Sequence, residues 1–281
     1  MYEIRPTAAI LGTALLFAAS GSARAEIVNC TPVTSLPATI SSPGIYCLTG
    51  NLSTSSASGI AISITANSVT LDLNGWKLGG LGGGTATLMT GIYSTNVNIT
   101  VRNGSVRGFR TGILLSGSGA LVEDVLADGN TETGIRVGAS GIARRNQVIN
   151  TGGGTLDANE DAFGIVCSGQ GCLVENNVVS ELVAMGNGNE WGIYLWAAAS
   201  NSTVRGNIVT DTTGVPGTGY SSGIRMGNTP RVAVIENSVT NFDYGIHYFG
   251  TATGAYSRNT VNSCTTAFSG GTAGSGNDSA A

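Results

Sequence analysis

The sequence predicts an all-β fold: a single-stranded right-handed parallel β-helix, a solenoid of about eight to nine coils behind an N-terminal cap. Three observations predict it. A Gly-Ile phrase returns along the 281-residue chain at Gly59-Ile60, Gly91-Ile92, Gly112-Ile113, Gly134-Ile135, Gly164-Ile165, Gly192-Ile193, Gly223-Ile224 and Gly245-Ile246, with a degenerate ninth copy at Ala267-Phe268. Its shortest spacings are 21 and 22 residues, too short for helical repeats of about 33 residues or more. Apolar residues alternate with polar ones, as in Val69-Thr70-Leu71-Asp72-Leu73, which is the period of a strand and not of a helix.

Composition agrees. With 11% charged and 41% hydrophobic residues, the chain is too apolar to stay disordered. Its 43 glycines, with frequent Asn and β-branched residues, suit many short strands joined by tight turns. A net charge of −4 gives nothing to displace counterions along a phosphate backbone, so no nucleic-acid partner is expected.

Taken in order, residues 1–25 read as an export signal. Arg5 supplies positive charge, Ala8 to Ala19 is an apolar run, and Ala23-Arg24-Ala25 is a small-x-small cleavage site. That run is shorter than the roughly 20 residues a membrane-crossing helix needs, and no later segment is long and apolar, so no membrane span is expected. The mature chain begins near Glu26 and is secreted or periplasmic. Residues 26–57 read as the N-terminal cap that covers an otherwise unsatisfied solenoid end. Residues 58–269 form the β-helix, and the Gly-, Ser- and Ala-rich residues 270–281 read as a flexible tail.

All five cysteines lie in the mature part, in a compartment where disulfides persist. Cys30 and Cys47 flank an opening segment, and Cys167 and Cys172 flank a Ser-Gly-Gln-Gly turn. Both pairs are expected bridges, although spacing leaves the connectivity open. Cys264 is left over and is expected to be buried and inert. One histidine cannot build a zinc site.

A second column closes each unit. Asp124, Asn146, Asn176, Asn237 and Asn259 precede the apolar end of the second strand, and side chains stacked about 4.8 Å apart between coils would bond one another and the turn backbone. The Gly-Ile openings, the Asn-x-Val closings and Pro43-Gly44-Ile45-Tyr46 resemble the pectin-lyase-like superfamily over residues 40 to 268. The resemblance implies a β-helix exported from the cytoplasm. Among its members are polysaccharide lyases, uronate epimerases, hydrolases, esterases and accessory proteins that are not enzymes. The motifs of its enzymes are missing here: Asn-Thr-Asp, Asp-Asp and Gly-His-Gly of the hydrolases, Asp-Pro-His-Asp of the alginate epimerases, and Trp-Ile-Asp-His and Arg-x-Pro-x-x-Arg of the pectate lyases.

Four units exceed the minimal length, by insertions at about 79–89, 151–161, 181–190 and 211–221. Such loops on one face of a repeat protein wall a binding surface. The residue after Gly-Ile points outward, since strand side chains alternate. That column reads Ala61, Tyr93, Leu114, Arg136, Val166, Tyr194, Arg225 and His247. Before the glycine stand Thr133, Phe163, Trp191, Ser222 and Tyr244, and one residue earlier Glu132, Ala162, Glu190, Ser221 and Asp243. Sugar rings stack on aromatic faces and carboxylates pair with arginine forks, so Arg136, Trp191, Tyr194 and Arg225 are candidate substrate-binding residues.

Two functions fit this patch. The first is a non-catalytic binding or structural module that contacts a polysaccharide or surface glycan. The alternative is a polysaccharide-active enzyme, a uronate lyase or epimerase. There Arg225 would neutralise the carboxylate, His247 or Tyr194 would take the proton and Tyr244 would return one. Glu190 and Asp243 would serve a glycoside hydrolase, the less favoured enzyme, at a marginal separation of about 10 Å. No cofactor is required; Asp157, Asn159, Glu160 and Asp161 are weak candidates for a calcium ion.

Overall fold

The computed structural model describes residues 29–212, 217 and 219–280; the expected export signal lies outside them. The described residues form two parallel sheets, of 19 and ten strands, with one short 3-10 turn at Leu81–Gly83. Every strand of the ten-stranded sheet pairs with the equivalent strand of the next coil. The register runs Ile62, Ile92, Ile113, Ile135, Ile165, Ile193, Ile224, Ile246, Phe268, a stack of apolar side chains along the solenoid axis. In the first coil the pattern is offset. Ile62, not Ile60, joins this stack, and Ser63 rather than Ala61 opposes Tyr93 in the outward column. Ala61 is buried.

The two recurring phrases are one steric unit. A Cβ on Gly223 would overlap a methyl of Val239 and lie 3.0 Å from the Gly245 carbonyl oxygen; Gly164 meets Val179, Gly192 meets Val209 and Gly245 meets Val261 in the same way. The valine of Asn-x-Val thus fills the space its glycine leaves. Gly223→Ala is expected to lower the urea midpoint by the equivalent of about 1–3 kcal/mol, the usual cost of overpacking a core. Val239→Ala in the same chain should return part of that loss.

The asparagine ladder is present, but one residue away from the expected position in places. It runs Asn146, Asn177, Asn207, Asn237, Asn259, Asn277, each backbone N–H donating to the next coil's Oδ1 at 2.9–3.1 Å. Asn176 is not in it. It holds the left-handed turn position just before (φ 55°), as does Asp124 (φ 55°), whose carboxylate accepts from Arg145. Val125 stands at the ladder position of that coil and donates its N–H to Asn146.

Both ends are more regular than expected. Within the cap, Ala38–Ile40 pairs with Ile60–Ile64 and Gly44–Leu48 with Val69–Asp72, so this segment is built as a coil of its own. The expected tail continues the solenoid instead of fraying: Thr272–Ala273 and Asp278–Ala280 pair with the preceding coil, and Asn277 prolongs the ladder. Disulfides join Cys30 to Cys47 and Cys167 to Cys172. Cys264 is free and half-buried; its Sγ accepts the Phe242 N–H, and burial pushes its thiol up.

Candidate functional site

The register assembles the outward column as expected. Arg136, Val166, Tyr194, Arg225 and His247 oppose one another on successive strands, beside Thr133, Phe163, Trp191, Ser222 and Tyr244. The four insertions gather at one edge of it. Thr155 donates its N–H to Thr85 O, Asn187 to Asn159 Oδ1 and Tyr220 to Asn189 Oδ1, so the loops stack as the coils do.

Half of the candidate catalytic residues are nonetheless covered. Arg225, His247 and Glu190 are 5, 7 and 0% exposed, and the binding candidate Trp191 is 8% exposed. Outward side chains on strands about 4.8 Å apart are long enough to pack on one another. The Arg225 guanidinium lies 4.1 Å from the Phe249 ring centroid and 5.1 Å from that of Tyr220. Its Nη1 is 3.4 Å from His247 Nδ1. Arginine only donates, so this contact makes Nδ1 an acceptor, with Ser222 Oγ also 3.4 Å away. The His247 ring stacks on Tyr244 at 4.2 Å. Burial, and then the Arg225 charge, lower the His247 pKa to about 4, leaving the imidazole neutral.

Glu190 and Asp243 do not face each other across a gap. Glu190 Oε1 accepts the Ala184 N–H, while Asp243 accepts from the Ser221 N–H and hydroxyl. Burial, followed by the Asp211 and Asp243 carboxyls, pushes Glu190 up to about 8, so it holds a proton at neutral pH. A protonated carboxyl wholly inside the protein suits packing against Asp211, not attack on a sugar.

Open space lies two coils earlier. A cleft of ≈ 300 Å³ is lined by Arg110, Glu132, Arg136, Asp157, Phe163 and Trp196 among others. Arg110 donates from Nε and Nη2 to Glu132 at 3.0 and 2.9 Å, and the Arg136 guanidinium lies 3.6 Å over the Trp196 ring. An aromatic run joins the two rings of the cleft: Phe163 to Trp191 at 4.6 Å, Trp191 to Tyr194 at 5.0 Å, Tyr194 to Trp196 at 6.4 Å. Two buried polar atoms of cleft residues have no hydrogen-bond partner, Glu160 Oε1 and Arg136 Nε.

Of the expected binding residues, only Arg136 therefore lines the cleft; Trp191 and Tyr194 continue its aromatic wall, and Arg225 is sealed in its own cage. Arg110 stands two residues before Gly112, in the column of Glu132, so the repeat does mark it. Trp196 lies outside the marked positions and has a fainter signal: it continues the outward alternation from Tyr194.

Three of the four calcium candidates are engaged by hydrogen bonds within or between the loops. Asn159 accepts the Asn187 N–H, Asp161 accepts from Asn189 and Glu160 Oε2 accepts the Leu156 N–H. Among the described residues no three or more His, Cys, Asp or Glu side chains converge in a metal-holding arrangement.

Comparison with known proteins places the fold. The chain is similar to the crystal structure of the Dettilon tailspike protein (gp208), with a TM-score of 0.62 and 17% identity over 82% of this chain and 47% of that one. The chain is a right-handed parallel β-helix. At that identity the likeness concerns the fold alone, and this β-helix spans about half the length of the tailspike. A family model described as "Periplasmic copper-binding protein (NosD)" matches residues 82–219. No curated protein matches this β-helix. The periplasmic family match and the two disulfides make it a secreted or periplasmic protein. Among the described residues no helix is long and apolar enough to cross a membrane.

Proposed function

We propose that this exported β-helix is a non-catalytic glycan-binding module whose site is the cleft between Arg110 and Trp196. The observation that carries the reading is the cleft itself: aromatic rings at Phe163 and Trp196, with a buried donor, Arg136 Nε, and a buried acceptor, Glu160 Oε1, that have no hydrogen-bond partner in the protein. Buried polar groups are otherwise almost always hydrogen-bonded. A sugar supplies both a flat apolar face for an aromatic ring and hydroxyls that donate and accept. The tailspike likeness agrees with an extended scaffold and adds nothing about the ligand.

The acid–base groups speak against catalysis. Glu190 and His247 are 0 and 7% exposed, and Asp243 is engaged by Ser221. General acid–base work needs a group within about 3 Å of the substrate proton it moves. Copper, named in the NosD description, does not fit these residues either. It favours imidazole, thiolate or thioether ligands, and the single histidine has its Nδ1 engaged by Arg225.

The test is titration of residues 26–281 with a panel of oligosaccharides, read by tryptophan fluorescence and calorimetry. Trp196→Ala is expected to weaken binding about tenfold or more, equivalent to about 1.4 kcal/mol, without lowering the melting temperature of the solenoid. Absence of binding across the panel, or binding that Trp196→Ala and Phe163→Ala leave unchanged, rules the reading out.

A further inference from the structure

The charges around the cleft are unevenly matched. Arg110 and Arg136 line it, against Glu132, Asp157, Glu160 and Asp161, a formal excess of two negative charges. Neither arginine is offered to an incoming anion in the usual way. Arg110 is held through Nε and Nη2 by Glu132, with Glu160 Oε1 a further 3.7 Å from its Nη2. Its hydrogen bond to Glu132 leads the causes that raise its pKa, and the charges of Glu132, Glu160 and Asp157 add to it. Arg136 presents its flat face to Trp196 at 3.6 Å. Asp157 is exposed at the rim. Glu160 is 5% exposed and its Oε1 has no hydrogen-bond donor. Asp161 uses one oxygen on Asn189.

An anionic sugar such as a uronate would bring its carboxylate among these carboxylates, and like charges a few ångströms apart repel. A protonated amine has the opposite fit. It is a hydrogen-bond donor for Glu160 Oε1, a counter-charge for Asp157 and Asp161, and a group that aromatic faces tolerate well. From the charge excess, the orphaned buried acceptor and the aromatic walls together, we infer that the cleft takes a hexosamine residue bearing a free, protonated amino group, as in a de-N-acetylated glycan. This rests on the glycan-binding reading above. It narrows the ligand from glycans in general to one charge class, opposite to the uronate that an exposed Arg225 would have selected. N-acetylation of the amine removes the charge and two of its donor hydrogens, and so removes the preference.

Three tetramers test it on the chain of residues 26–281: glucosamine, N-acetylglucosamine and galacturonate, titrated at low and at 0.5 M salt (a working concentration of roughly that size, where the Debye length falls to about 4–5 Å). The glucosamine tetramer is expected to bind at least tenfold more tightly than the other two at low salt, with the gap narrowing at high salt. Glu160→Gln keeps an acceptor for the Leu156 N–H, and Asp157→Asn lies on an exposed loop, so both should fold. Each is expected to weaken glucosamine binding at least threefold and leave N-acetylglucosamine binding unchanged. Equal or tighter binding of the acetylated or uronate tetramer, still lost in Trp196→Ala, overturns the amino-sugar inference and leaves the glycan site standing. Glucosamine binding indifferent to all three substitutions overturns the assignment to this cleft. No binding of any tetramer overturns both readings.

Discussion

Asn237→Ala lowers the stability of the solenoid by about 3–5 kcal/mol, read as a shift of the chemical-denaturation midpoint. Asn237 is 2% exposed and makes five hydrogen bonds at once. Its Oδ1 accepts the Asn207 N–H at 3.0 Å and the Asn207 Nδ2–H at 2.9 Å. Its Nδ2 donates to Val204 O, Ile235 O and Asn259 Oδ1, each at 3.0 Å. Alanine leaves at least two of these groups buried and unsatisfied, at about 1–3 kcal/mol each. Asn237→Asp should be as damaging: the carboxylate still accepts from Asn207 but meets the Val204 carbonyl and Asn259 Oδ1 with no hydrogen to offer. A loss under 1 kcal/mol for both would mean the ladder is decorative.

Raising the pH from 6.5 to 8 destabilises the protein by about 2 kcal/mol, and Glu190→Gln abolishes that loss. The folded Glu190 carboxyl titrates at about 8 and the unfolded one at 4.5. Between those values the folded state keeps a proton that the unfolded state releases. Its contribution is therefore complete below pH 4.5 and is lost as the pH rises toward 8. His247 has the opposite slope. Its folded pKa of about 4 lies below the ordinary 6.5, so the unfolded state takes up a proton first, and stability falls as the pH drops from 6.5 to 4. The two slopes offset each other between pH 4.5 and 6.5, where thermal unfolding should be nearly pH-independent. Glu190→Gln should be flat above 6.5 and lose stability only below it. His247→Gln should lose stability from about pH 4.5 upward. A wild-type melting temperature unchanged between pH 6.5 and 8 would show that Glu190 is ionised at neutral pH in the folded state.

The fold was legible because it is written in short-range terms repeated many times. Gly223, Ile224 and Val239 each answer to a fixed neighbour, and the same demand recurs at Gly164, Gly192 and Gly245. The errors arose where one residue decides the register. Asn176 and Asn177 are adjacent asparagines, and only the left-handed φ of the first assigns the ladder to the second. Ile60 and Ile62 are likewise two apolar residues in alternation, and pairing with Ile92 selects the second. In the candidate site, the column of Tyr194, Arg225 and His247 was correct as an alignment and misleading as a surface. Its aromatic neighbours, which looked like a platform for a ligand, instead close over Arg225.

By itself, the sequence determined the solenoid, the length of its coils and the edge where the loops gather, because each follows from a period or an insertion; it marked two cysteine pairs and left their connectivity to the structure. Only the tertiary structure decided where there is room. Arg110 and Trp196 meet at one cleft because the coils between them bring distant strands into neighbouring rungs and the loop at 153–161 stacks beside them. Arg225 and His247, on the same column, are filled in by Tyr220, Tyr244 and Phe249. Whether an outward side chain reaches solvent depends on the size of the side chains one rung away, a relation across coils that no repeat pattern records.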